Sequence, residues 1–99
     1  MKRVESDLRP LEGLDANDEL AALAKAIAHP ARMQILRILE QRTRCTCGQL
    51  VEALPLAQST VSQHLAVMKA AGLVGTGPSG DYYLDPAALR RLRALVAAL

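Results

Sequence analysis

The sequence predicts a mainly α-helical domain with one small β-hairpin. Three observations carry this. Ala and Leu dominate the 99 residues, apolar residues recur at helical spacing, and one Gly-, Pro-, Ser- and Asp-containing stretch separates two short apolar runs. Six Gly and five Pro leave little room for a many-turned β-sandwich. The length suits a single domain. Hydrophobic residues make up 51%, ample for a core, but Trp and Phe are absent, so that core is aliphatic. A domain this small buries a limited core, so a dimer sharing helices is expected.

Residues 1–14 carry no sustained periodicity and are punctuated by Pro10 and Gly13; they read as an N-terminal tail ahead of a domain over 15–99. Leu20, Leu23, Ala24 and Ile27 then follow the i, i+3, i+4, i+7 pattern of an amphipathic helix, with Asp15 or Asn17 as its cap. His29-Pro30 ends it, because the residue before proline is pushed out of the helical region. Pro30 suits the first turn of a second helix, which runs to about Gln41 with Met33, Ile35, Leu36, Ile38 and Leu39 apolar.

Arg42-Thr43-Arg44 is a polar connection. Thr46-Cys47-Gly48-Gln49 fits the capping box that opens a third helix, and Pro55 stops it. Only Pro55, Leu56 and Ala57 separate it from a fourth helix over about Gln58 to Ala71, closed by Gly72. Two short helices joined so tightly read as helix-turn-helix. Leu73-Val74 and Tyr82-Tyr83-Leu84 are the plausible strands, with turn chemistry from Gly75 to Asp81 between them. Asp85-Pro86 caps a last helix whose Leu89, Leu92, Val96 and Leu99 lie on one stripe.

The net charge of +2 conceals an asymmetry. Residues 1–20 hold three basic and six acidic side chains, net −3; residues 21–99 hold nine and four, net +5. A basic body admits nucleic acid as a partner. With Tyr82 and Tyr83 the only aromatics, no stacking platform for single strands exists, which favours a duplex. Two cysteines make no disulfide framework, the N-terminus lacks a signal peptide's apolar run, and no uncharged apolar stretch reaches membrane length. A protein of a reducing cytoplasm fits best. Paired carboxylates, a Gly-rich phosphate loop and a zinc-protease motif are missing, which argues against an enzyme.

With Val61, Leu65 and Met68 on the core face of the fourth helix, steps of roughly 100° per residue turn positions 59, 63 and 66 outward. The outward N-terminal surface is then Gln58, Ser59, Thr60, Ser62 and Gln63. These uncharged side chains can hydrogen-bond base edges, Gln reading adenine bidentately, and the helix N-terminus attracts phosphate. His64 lies beside the core stripe, where it either touches a phosphate or bridges two helices. Lys69 makes a backbone contact or is simply solvated.

This order of elements resembles the ArsR/SmtB family of winged helix-turn-helix metalloregulators, arsenic-responsive type, over about residues 17–99. The resemblance rests on Ala28-His29-Pro30-Ala31-Arg32, on Leu54-Pro55-Leu56-Ala57-Gln58-Ser59-Thr60-Val61-Ser62-Gln63-His64-Leu65 and on Ala71-Gly72-Leu73-Val74. Cys45-Thr46-Cys47 sits where metal-sensing members carry Cys-x-Cys. It implies a homodimeric repressor, paired through its first and last helices, that releases operator DNA when an inducer binds. The apolar stripes of those helices suit that pairing or an intrachain core. The wing tip here is Gly, Pro, Ser and Asp, without the basic residues often found in the family. The last helix has no His, Glu or Asp after Asp85, so the inter-subunit zinc site of some members has no matching ligands.

The resemblance makes Cys45 and Cys47 the metal-binding pair. Two thiolates select soft ions, and the inducer expected is As(III), or Sb(III), Cd(II) or Cu(I), with no constitutive cofactor. A helix N-terminus with Arg42 and Arg44 nearby favours a Cys47 thiolate. A third ligand has no cysteine to supply it, since Leu50 and Tyr83 occupy positions where other members carry one. A thiol-oxidation switch is the alternative of the same fold, and two inert small hydrophobes the plainest one. From another class, the uncharged reading face and bland wing suit a helical dimer that binds protein rather than DNA.

Overall fold

The computed structural model describes residues 11–99. Five helices and three short strands follow one another as α1 (Leu11–Ile27), α2 (Pro30–Arg42), β1 (Arg44–Cys45), α3 (Cys47–Ala53), α4 (Gln58–Ala70), β2 (Val74–Thr76), β3 (Tyr82–Leu84) and α5 (Pro86–Ala97). Residues 1–10, most of the expected tail, lie outside the described residues. α1 begins at Leu11, so the Asp15 and Asn17 caps are corrected: both lie inside the helix. Lys25 in its last turn complements the helix dipole there.

Local chemistry sets the other helix ends. His29 caps α2, its Nδ1 accepting from the Ala31 amide at 3.0 Å, with Pro30 in the first turn. Thr46 caps α3 in a complete capping box: Thr46 Oγ1 accepts from the Gln49 amide, and Gln49 Oε1 from the Thr46 amide. Asp85 caps α5, accepting from the Ala87 and Ala88 amides. α4 ends in a Schellman closure: Gly72 (φ +79°) donates to Lys69 and Leu73 to Met68.

The core is aliphatic. Ile35, Leu39, Leu50, Val61, Leu65, Met68 and Leu73 are sealed from solvent, joined by Leu23 and Ala26 of α1 and Leu92 of α5. On α1 it is Ala26 that is buried, while Ala24 is exposed. Arg91 of α5 forks onto Glu19 of α1 with two 2.9 Å hydrogen bonds, which hold the Glu19 carboxyl below its usual range.

The sheet corrects the reading of two strands. It has three, in the order β1-β3-β2, all antiparallel. Arg44 pairs with Tyr83 and Cys45 with Tyr82. A two-residue strand has no legible periodicity, so Arg44 passed as loop. The wing turn spans 77–81, closed by the Gly77 amide on the Asp81 carbonyl at 2.8 Å. Gly75 lets the Tyr83 ring lie against the strand, since a Cβ there would meet the ring at 2.5 Å and push it aside.

Candidate nucleic-acid interface

α3 and α4 meet through Leu54–Ala57. Leu54 is buried and Leu56 half-buried, so the turn is pinned from inside. Gln58, Ser59, Ser62 and Gln63 are exposed and Thr60 half-buried, while Val61 and Leu65 anchor the opposite face. Lys69 is exposed near the C-terminal end.

The start of α4 differs from its neighbours. α2, α3 and α5 each have a side-chain cap; α4 begins on Ala57, which provides none. Its first-turn amides have no side-chain cap and are directed at whatever approaches the exposed end.

His64 departs from the outward set. It is buried beneath α4, and its Nδ1 accepts a hydrogen bond from Arg32 Nε at 3.2 Å. Its ring lies 4.5 Å from that of His29, and Arg32 Nη1 donates to the Lys25 carbonyl at 2.7 Å. The interhelical bridge, of the two roles open to His64, is the one this geometry holds. It ties α4 to both ends of the α1–α2 turn.

Burial, then the nearby charge of His29 and Arg32, lowers the His64 pKa below 6.5. An accepting Nδ1 likewise requires the neutral ring. The unfolded chain therefore takes up His64's proton first as pH falls. Stability from this site is full above about pH 6.5 and declines below it, levelling only once the folded ring is also protonated. Urea unfolding at stepped pH should show this fall, and His64→Gln should flatten it relative to wild type. An unchanged profile in the variant would refute the assignment.

The cysteines divide. Cys45 on β1 is 1% exposed and part of the core, whereas Cys47 is half-buried at the first position of α3. Cys47 Sγ lies 3.5 Å from Ser62 Oγ on α4. Among the described residues no group of three His, Cys, Asp or Glu is placed to hold a metal ion. Arg44, expected beside the thiols, turns to the wing instead: Nη1 is 3.3 Å from Asp81 Oδ2, and the guanidinium sits 4.8 Å from the centre of the Tyr83 ring.

A helix presented by a tight turn, backed by a three-helix core and flanked by a hairpin, defines a winged helix-turn-helix protein. The model of the arsR family of bacterial regulatory proteins matches residues 29–76. The transcriptional repressor SmtB of Mycobacterium tuberculosis is 45% identical over 71 residues, 72% of this chain and 50% of its own length. The transcriptional regulator YgaV of Escherichia coli is 33% identical over 82 residues, 83% of each chain. A crystal structure described as a possible transcriptional regulator for arsenical resistance superposes with a TM-score of 0.69 at 35% identity, covering 78% of this chain and 81% of its own. The chain belongs to the arsR family, whose members are transcriptional regulators. It spans about half the length of SmtB. No helix among the described residues is long and apolar enough to cross a membrane.

Proposed function

We propose that the protein is a cytoplasmic, homodimeric transcriptional repressor that inserts α4 into the major groove of operator DNA. The carrying observation is the exposed Gln58, Ser59, Ser62 and Gln63 on a helix whose N-terminus has no side-chain cap. Gln58 and Gln63 read base edges, Ser59, Thr60 and Ser62 bond bases or phosphates, the first-turn amides take a phosphate, and Lys69 makes a backbone contact. His64 positions the helix and does not touch DNA. The dimer forms through α1 and α5. Val96 supports this, being 50% exposed on the stripe of α5 that buries Leu92; Leu99, expected on the same stripe, lies beyond the end of the helix at Ala97.

The inducer acts at Cys45 and Cys47. The 3.5 Å approach of Cys47 to Ser62 supports this, because a group bonded to that sulfur would press on a side chain of the reading helix. As(III) is the first candidate, in keeping with the arsenical-resistance description of one structural relative; Sb(III), Cd(II) and Cu(I) share its affinity for thiolates. The third donor is a small-molecule thiol, solvent, or a group such as His29 or an N-terminal carboxylate of the partner chain. Thiol oxidation at Cys47 is the second reading, favoured by the deep burial of Cys45 and by the absence of a three-residue ligand group among the described residues.

Gel-shift titration tests both halves. A duplex enriched by the protein from a random pool should be bound, then released by As(III) under reducing conditions. Cys47→Ser should remain bound. Release by peroxide or persulfide alone selects the oxidation reading. Failure to bind any duplex removes the repressor reading altogether.

A further inference from the structure

The hairpin itself carries no basic residue from Val74 to Leu84, yet a cation lies in its loop. It comes from β1. Cys45 points into the core, so Arg44, its neighbour in the strand, points out of the sheet. Its side chain crosses the Tyr83 ring and runs to the base of the wing turn, where Nη1 meets Asp81 Oδ2. Gly77 leaves the space, since a Cβ there would strike both Arg44 Nη1 and Asp81 Oδ1.

We propose that Arg44 is the phosphate-binding residue of the wing and that Asp81 stands in for phosphate until DNA arrives. The proposal rests on the DNA-binding reading. Position supports it: two residues of chain separate Arg44 from Cys47, which touches Ser62 on α4, so the Arg44 backbone starts within about 10 Å of the residue that abuts the reading helix. The quality of the Arg44–Asp81 pair supports it too. It is one contact at 3.3 Å rather than a two-pronged fork, and the Arg44 side chain keeps 50% of its exposure. Asp81 Oδ1 is buried and accepts no hydrogen bond among the described residues. A partner held this loosely yields to a phosphate, which offers a guanidinium two oxygens.

Binding to the self-selected duplex, measured over a range of salt concentrations, tests this. Arg44→Gln keeps a side-chain stem over Tyr83 and should weaken binding. It should also reduce the slope of log affinity against log salt by about 0.9 per subunit. Arg44→Lys should restore the slope. Asp81→Asn should tighten binding several-fold, and the gain should vanish when Arg44→Gln is also present. An unchanged slope in Arg44→Gln overturns the phosphate contact while the repressor reading stands. Equal tightening by Asp81→Asn in both backgrounds overturns the phosphate stand-in. A wild-type chain that binds no duplex overturns both readings together.

Discussion

Gln63→Ala should cost about 1–3 kcal/mol of operator affinity at each half-site while leaving the fold intact. The side chain is exposed one turn into α4 and buries nothing that its loss would open. In the proposed dimer the two half-sites double the effect, to about 2–6 kcal/mol. Discrimination at one base position per half-site should relax as well, since a lost base contact changes preference and a lost phosphate contact does not. Fluorescence anisotropy against the selected duplex and its single-base variants reads both effects. A Gln63→Ala chain with wild-type affinity and preference would remove Gln63 from the reading surface.

Leu65→Ala should do the opposite. Two residues further along the same helix, Leu65 is 1% exposed within the main core cluster. Truncating such a side chain costs about 2–5 kcal/mol, lost transfer free energy plus the cavity left behind. A small domain has only about 5–15 kcal/mol to lose, so the urea midpoint should fall steeply and α4 should loosen on its seat. Operator binding then weakens indirectly and recovers in part at high duplex concentration, because the duplex binds only the folded chain and stabilises it. A loss below about 1 kcal/mol would mean that the site collapses around the missing atoms. The two variants together separate what α4 reads from what holds it.

Much of the fold was legible because its signals are short-range. Caps, stops and the 3.6-residue period act within a turn or two of chain. The Thr46-to-Gln49 capping box, the Pro55 stop, the Gly72 closure and the Asp85 cap therefore stand where the residues announce them. The outward set from Gln58 to Gln63 followed from the same period, once Val61, Leu65 and Met68 were placed inward. α1 was the exception in that class, because Asp15 and Asn17 can cap a helix or sit within one.

The candidate site was legible only in outline. Whether His64 meets phosphate or a neighbouring helix depends on Arg32, 32 residues away. Whether the wing carries a cation depends on Arg44, contributed 37 residues before Asp81 by a strand too short to show a period. Cys45 and Cys47 look alike in sequence, but β1 sends the first into the core and the start of α3 leaves the second beside Ser62.

The sequence alone determined the helices, their boundaries from α2 onward, the tight turn, the hairpin and the polar face of α4. Each follows from backbone and capping chemistry local to the residues concerned. Only the tertiary structure decided the third strand, the inward turn of His64, the unequal burial of the two thiols and the cation at the base of the wing turn. Those depend on which distant segments are packed together, and long-range packing leaves no periodic trace in the chain.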